Sequence, residues 1–218
     1  MKLKTIASIF NRNKRLIIHT AQNGEQWISN GIAAYSLNGM PQLTPEIVLR
    51  IFDVPADKQA KWLCEECDLP SVISFADATD GEVEIEPLKI NIERFGINYW
   101  LFPNPNKQRI YSFNEDFIKP LLDEPDYLTY YKRETVSGGF VLACKIGMEL
   151  KAIIAPAMLH EREEFTEEIK RIAHLYCLMA QQKIVNAAYE IYGTPTDSPP
   201  ETDEETEDEN DFKQETIE

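Results

Sequence analysis

The sequence predicts an α+β fold, in which antiparallel strands and two short helices form an internally repeated domain and a long helix follows at the carboxyl end. Three observations favour this class. Short apolar segments alternate with turns rich in Asn, Gly and Pro, which is typical of antiparallel strands. Helix-like segments interrupt two such series of strands. The letters "AYSLN" at 34–38 and "IYSFN" at 110–114 are nearly the same, and an apolar run follows each of them.

Residues 15–37 predict three short strands, "RLIIHT", "QWIS" and "IAAYSL". The turns between them contain Asn23-Gly24 and Asn30-Gly31. These dipeptides favour hairpins because both residue types accept positive φ. Two such turns in close succession predict an antiparallel meander.

The apolar spacing changes at "TPEIVLRIFDVP", which predicts a helix from about 45 to 52. Thr44 is a suitable amino-terminal cap, Pro45 suits the first helical position, and Pro55 ends the run. A second helical segment, "DKQAKWLCEECD", is expected to follow and to stop before Pro70.

The next segments, "SVISFAD" and "EVEIEPLKINI", predict strands, and "INYWLF" and "QRIYSF" predict a hairpin. "EDFIKPLL" is expected to form a short helix capped by Asn114. Three strands then follow, "YLTYYKRE", "GFVLACKIG" and "LKAIIAPAM". Strand alternation places Tyr130 and Tyr131 on opposite faces, so at least one of them is expected in the core and not available for stacking on bases.

Residues 160–192 predict one long amphipathic helix, since apolar residues recur at spacings of three and four with charged residues between them. Gly193 and Pro195 end it. Residues 193–218 have the acidic, nearly apolar-free composition of a disordered tail. The tail is expected to keep the protein soluble, or alternatively to dock on a partner through Phe212 and Ile217.

The element order after each copy of the repeated letters is similar, with an offset of 76 residues between Tyr35 and Tyr111. We therefore expect one domain over residues 1–159, made of two similar halves at about 1–90 and 91–159. In that case Tyr35 superposes on Tyr111, and Asn38 on Asn114.

The stretch from "RIYSFNEDF" to "AIIAPAML" resembles the closing segment of bacterial sliding clamps, the processivity factors of DNA polymerases. In that family a strand leads through an Asn into a helix with a Leu-rich end, and three strands follow, the last finishing in a Pro and a Met. The matching positions here are Asn114, Phe117, Ile118, Leu121, Leu122, Pro156 and Met158.

The resemblance implies a non-enzymatic, clamp-like accessory protein of DNA replication that forms homo-oligomers and binds double-stranded DNA or the replication machinery. A clamp subunit of bacteria has three such domains, whereas this chain has room for one. Its last 60 residues also have no counterpart in that family. This small format would suit a bacteriophage or a mobile element.

The net charge of −15 lies mostly in the tail, since residues 193–218 contain eleven acids and one lysine, and the body carries only −5. A clamp contacts the DNA backbone through Lys and Arg on its helices, without reading bases. Acids are interspersed among the basic residues on the expected helices, so a clamp relative that has turned to protein partners is an alternative. The DNA-binding residues that the sequence predicts are Lys2, Lys4, Arg12, Lys14, Arg15, Arg50, Lys58, Lys61 and Lys119.

Catalytic motifs are not found in the sequence: it has no glycine-rich phosphate loop, HExxH or GxSxG. We therefore expect no enzyme activity and no cofactor. Cys64 and Cys67 have the spacing of a metal or redox pair, but a structural zinc site needs four ligands. On a helix their spacing would simply place both thiols on one face. Cys144 is expected to be buried in a strand, and all four cysteines are expected to be free thiols.

Two alternatives to the clamp function remain open at this stage. One is an adaptor or inhibitor protein that acts through the acidic tail by covering a basic surface of another protein. The other is a metal- or thiol-dependent enzyme that uses Cys64 and Cys67. No apolar run is long enough to cross a bilayer and no export signal is recognised, so a cytoplasmic location without a membrane partner is expected.

Overall fold

The computed structural model describes residues 3–88, 90–94, 96–104 and 109–157, and in addition the single positions 171, 174, 178, 179, 182 and 183. The chain divides into two units, Met1–Tyr176 and Cys177–Glu218. The fold below is that of the first unit, and the four described residues of the second unit are helical. The predicted helix over 160–192 lies outside the described residues except for those six positions, and the predicted tail lies outside them entirely.

Four α-helices are present in residues 3–157, all short except the first. They are α1 (Leu3–Asn13), α2 (Pro45–Ile51), α3 (Ala56–Gln59) and α4 (Glu115–Ile118), which continues as a 3-10 turn over Lys119–Leu121. The helix predicted over 45–52 is confirmed as α2, and the Asn114 side chain caps α4 by accepting a hydrogen bond from the Asp116 N–H, as predicted.

Eleven strands accompany these helices in the part of the chain that the structure describes. They are β1 (Arg15–Thr20), β2 (Gln26–Ser29), β3 (Ala33–Ser36), β4 (Leu63–Asp68), β5 (Val83–Glu84), β6 (Asn91–Arg94), β7 (Ile97–Asn104), β8 (Arg109–Asn114), β9 (Leu128–Glu134), β10 (Phe140–Ile146) and β11 (Glu149–Ile154). The meander predicted over 15–37 is confirmed, and Gly24 and Gly31 have the positive φ values that its turns require.

Eight strands form one sheet in the order β4-β1-β2-β3-β11-β10-β9-β5, and β6-β7-β8 form a second sheet. All neighbours pair antiparallel except β4, which runs parallel to β1. The α+β class with antiparallel strands and short helices is therefore confirmed.

The two faces of the eight-stranded sheet are covered differently. One face packs against α1, α2, α4 and the three-stranded sheet, in a large core that includes Phe10, Tyr35 and Phe113. The other face packs against residues 69–82, which we call the covering segment and which contain no helix or strand. Phe75 of this segment lies edge-on against Trp27, with 5.0 Å between ring centroids.

Two runs of elements have the same order: α1 is followed by the meander β1-β2-β3, and α4 by the meander β9-β10-β11. The start of β9 lies 113 residues after the start of β1, from Arg15 to Leu128. The last strands of the two meanders, β3 and β11, pair antiparallel at the centre of the sheet. Helices α1 and α4 contact each other on one face of it.

The predicted equivalence of Tyr35 with Tyr111 is wrong. Tyr35 lies in β3 at the centre of the large sheet, whereas Tyr111 lies in β8 of the small one. Asn114 caps a helix that begins at the next residue, but Asn38 lies in a turn and α2 begins only at Pro45. The similar letters therefore belong to different corners of the fold.

Three further segments differ from the prediction. The helix expected over 57–68 ends at Gln59, and β4 follows it, because pairing with β1 overrides the local preference of "LCEECD". "SVISFAD" forms no strand and belongs to the covering segment. "EVEIEPLKINI" is divided into β5 and β6 around Pro87, which lacks an N–H for strand pairing.

Helix α1 was not predicted from the sequence, although its apolar spacing is helical. Ile6, Ile9 and Phe10 are spaced by three and four and are all buried. The apolar spacing of a helix was therefore present in this segment beside its basic residues. Among the described residues, no helix is long and apolar enough to span a bilayer.

Candidate functional site

The exposed side of α1 is the most uniform polar surface among the predicted DNA-binding elements. Lys4, Ser8, Asn11 and Arg12 are exposed, whereas Ile6 and its apolar neighbours face the core. The spacing of these four residues follows one helical face. The helix contains no acid, so its exposed face offers cations and hydrogen-bond donors without opposing charge of its own.

Arg12 joins α1 to α4 through an ion pair with Asp116. Asp116 also accepts a hydrogen bond from Lys119, with 2.9 Å between Nζ and Oδ1. Partial burial would raise the pKa of Asp116, but the hydrogen bonds from Lys119 and Arg12 outweigh burial and lower it. Lys119 also pairs with Glu115 at 3.3 Å, so its charge is compensated within its own turn.

The other predicted DNA-binding residues are distributed over several elements. Arg15 pairs with Glu65 at 3.3 Å across β1 and β4. Lys14 is exposed at the end of α1 and has a positive φ of 51°. Arg50, Lys58 and Lys61 are exposed on or beside α2 and α3, and Lys2 lies outside the described residues. Among the described residues, only Lys4 and Arg12 therefore lie on the same helix, and Lys14 follows the last residue of α1.

Cys64 and Cys67 do not form the pair that their spacing predicted on a helix. Both lie in β4, where residues three apart point to opposite faces of the strand. Cys64 packs against the helix-covered core, and Cys67 lies on the other side. A shared metal ion or a disulfide between them is incompatible with this strand, and we do not propose either.

Cys67 instead lies beside His19, its partner in the register of β1 and β4. The Cys67 Sγ and the His19 Nδ1 are 3.2 Å apart, and the Asp68 carbonyl oxygen is also 3.2 Å from that nitrogen. Burial raises the pKa of the Cys67 thiol, and the charges of Glu65 and Asp68 raise it further. The pair therefore holds a protonated thiol at neutral pH, unlike an activated nucleophile.

The core cysteine Cys144 is fully buried in β10, as predicted, and burial strongly raises its pKa. Tyr130 is also buried and Tyr131 is partly exposed, which confirms that they occupy opposite faces of β9. Within residues 3–157 as described, no group of three or more His, Cys, Asp and Glu is arranged to hold a metal ion.

A buried ionic cluster connects the covering segment to the sheet. It was not predicted from the sequence. Glu82 accepts hydrogen bonds from Arg133 in β9 and from Lys145 in β10. Arg133 is 2% exposed, and it also donates to the carbonyls of Ser74 and Ala76 at 2.7 and 2.9 Å. Burial would raise the pKa of Glu82, but the bonds from Lys145 and Arg133 outweigh it and lower the pKa.

An open cleft of about 560 Å³ lies where β1 and β4 meet the covering segment. Thr20, Asn23, Asp68 and Phe75 are among its lining residues. Its walls carry two acids and no base among the lining residues, so it is not suited to an anion such as a DNA phosphate.

Comparisons of the chain with protein-family models, with curated proteins and with solved structures find no match.

Proposed function

We propose that this chain is a non-enzymatic, clamp-like accessory protein of DNA replication, which assembles with copies of itself and contacts DNA or the replication machinery. The observation that supports it is the paired arrangement of α1-β1-β2-β3 and α4-β9-β10-β11. Their last strands meet at the sheet centre and their helices lie side by side on one face. A sheet that presents two helices on one face is the layout expected of a domain made of two similar α+β halves, as a clamp-like domain would be.

Helix α1 supports the DNA-binding part of the proposal. Lys4 and Arg12 supply charge, and Ser8 and Asn11 supply uncharged hydrogen-bond donors on the same face. Such groups bind phosphates and sugars and carry no sequence information. We expect weak binding that depends on salt, because only two cations, Lys4 and Arg12, lie on this helix and Arg12 is shared with Asp116.

The charge at the two ends of the large sheet affects self-assembly. The end strand β4 carries Glu65, Glu66 and Asp68, and the other end strand, β5, carries Glu84. Contact between these ends in two copies would bring acids together. If copies assemble through the sheet ends, their association therefore strengthens as ionic strength rises.

The experiment compares a Lys4→Glu, Arg12→Glu variant with a Lys58→Glu, Lys61→Glu control that has the same change in charge. Binding to a fluorescent DNA duplex is measured at about 50 mM salt, together with the mass of the protein in solution with and without DNA. We expect the α1 variant to lose about tenfold in affinity and the control to lose clearly less. Equal losses in the two variants would show that Lys58 and Lys61 contact DNA as strongly as α1 does, and a monomeric protein that does not bind DNA would contradict the proposal.

A further inference from the structure

The outer edge of β4 pairs with no strand of the described residues. β4 is the last strand of the eight-stranded sheet and its only strand partner among the described residues is β1. Pairing with β1 is continuous over six residues, from Arg15–Leu63 to Thr20–Asp68, without a bulge. Natural edge strands are commonly protected by a bulge, a proline or charged side chains, and of these β4 has only acidic side chains, which a basic segment would neutralise.

The backbone of β4 has groups on its outer side that pair with no described residue. The Leu63 N–H donates to the Lys14 carbonyl at 2.9 Å, on the inner side. Backbone groups alternate between the two sides of a strand, so the N–H and C=O of Cys64 and Glu66 face outward. An extended segment laid along β4 would therefore find regularly spaced donors and acceptors.

The side chains of β4 determine which charge is favoured in an incoming segment. Glu65 is compensated by Arg15, but Glu66 and Asp68 form no ion pair with any described residue. Five of the six residues of β4 are exposed. Two uncompensated acids on an accessible edge favour lysine or arginine in the incoming segment.

Exposed apolar side chains lie beside this edge. Helix α2 packs against β4, and its Ile47 and Ile51, one helical turn apart, are 41% and 44% exposed. Leu63 at the start of β4 is 53% exposed. Leu63 lies on the opposite face of β4 from Glu66 and Asp68, so apolar residues that alternate with the basic ones would cover Leu63, whereas Ile47 and Ile51 lie on the face of the two acids.

We propose that the outer edge of β4 binds an extended basic segment of another protein, with alternating basic and aliphatic residues, as an added strand. A second copy of this chain is a poor occupant, since a β4–β4 contact opposes acids with acids. The other end strand has only two residues and is acidic as well. The proposal does not rest on the clamp function, because it uses neither α1 nor DNA.

The experiment uses the full chain and a peptide of alternating lysine and valine, about eight residues long, at about 50 mM salt. Binding is measured by calorimetry. A peptide with the same residues but methylated on alternate backbone nitrogens, on the side that would face β4, tests the strand pairing. We expect the first peptide to bind and the methylated one to lose about tenfold or more in affinity.

Two variants of the chain test the same edge. Glu66→Pro removes an outward N–H while the inward bonds remain, and Glu66→Lys with Asp68→Lys reverses the charge. Both variants are expected to lower the affinity for the peptide by about tenfold or more. A Glu84→Lys, Glu86→Lys control at the other end of the sheet is expected to keep full affinity. Circular dichroism and thermal melting confirm that each variant is folded.

Three results would overturn the proposal. The first is a folded wild-type chain that does not bind the lysine–valine peptide. The second is equal affinity for the plain and the methylated peptide, or for the β4 variants and the control, which would indicate adsorption by charge alone. The third is a dimer of the wild-type chain at low salt that Glu66→Pro dissociates, which would assign the edge to a second copy.

Discussion

The Tyr35 hydroxyl donates a hydrogen bond to the Phe117 carbonyl at 2.8 Å, which joins the central strand β3 to the end of α4. Tyr35 is completely buried, and burial raises the pKa of its hydroxyl far above the ordinary value. The hydroxyl is therefore neutral at physiological pH and remains a donor. It links elements 82 positions apart in the chain.

Replacing Tyr35 by Phe removes this donor and leaves the Phe117 carbonyl without its partner. We expect a loss of about 1–2 kcal/mol in the free energy of unfolding, measured with urea. Tyr111→Phe is the matched control, because no hydrogen bond of its hydroxyl to a described residue is found. An equal loss in the two variants would show that the bond contributes no stability of its own.

The cap of α4 gives a second prediction. Asn114→Ala removes the acceptor for the Asp116 N–H, and we expect it to cost about 1 kcal/mol. Asn38→Ala breaks an exposed hydrogen bond to Glu149 and is expected to cost about half as much or less. If both variants lost the same stability, the two Asn corners would be energetically equivalent despite their different structures.

The third prediction concerns the buried charges under the covering segment. Glu82→Gln leaves Arg133 and Lys145 buried without their carboxylate, so we expect a loss of about 3 kcal/mol or more in the free energy of unfolding. Glu86→Gln, at an exposed position four residues away, serves as the control and is expected to be nearly neutral. A stable Glu82→Gln variant would mean that water reaches these cations.

Acid should weaken the same cluster. The pKa of Glu82 is lower in the folded chain than its ordinary value of 4.5. Its ionised form therefore adds stability that is complete above about pH 4.5 and is lost as the pH falls through the folded pKa. Urea unfolding at several pH values should show a steeper acid loss for the wild type than for Glu82→Gln. If the stability of the two proteins fell in parallel with pH, Glu82 would make no contribution to the acid sensitivity of the wild type.

The thiols provide the fifth prediction. Cys67 is exposed but its raised pKa keeps it protonated, so we expect slow alkylation at pH 7 and faster alkylation as the pH rises. Cys144 is buried and should react only after unfolding. Peptide mapping by mass spectrometry distinguishes the sites. Rapid modification of Cys67 at pH 7 would instead indicate a thiolate stabilised by His19.

Local patterns were enough for the strands of both meanders and for α2, because turn dipeptides, proline positions and apolar spacing act over a few residues. They failed for β4, whose conformation depends on β1 about 48 positions earlier in the chain. The covering segment was misread for a similar reason, since "SVISFAD" has the composition of a strand and its carbonyls are taken up by Arg133.

The site was harder to predict than the fold. The contacts between Cys67 and His19, and between Glu82 and Arg133, join residues 48 and 51 positions apart, and nothing in the local sequence marks either pair. The spacing of Cys64 and Cys67 suggested a pair of thiols, but β4 places them on opposite faces of the strand. The basic residues of α1 were identified, but their common face could be recognised only once the helix was known.

The pairing of β3 with β11 has a consequence for how the protein is made on the ribosome. β11 is the last strand of the sheet in sequence, yet it lies between β3 and β10 at the sheet's centre. The β3 edge of the amino-terminal meander therefore stays unpaired while about a hundred further residues are synthesised. Until β11 emerges, the nascent chain exposes an apolar strand that chaperones or neighbouring chains can bind, and the sheet closes only once β11 has been synthesised.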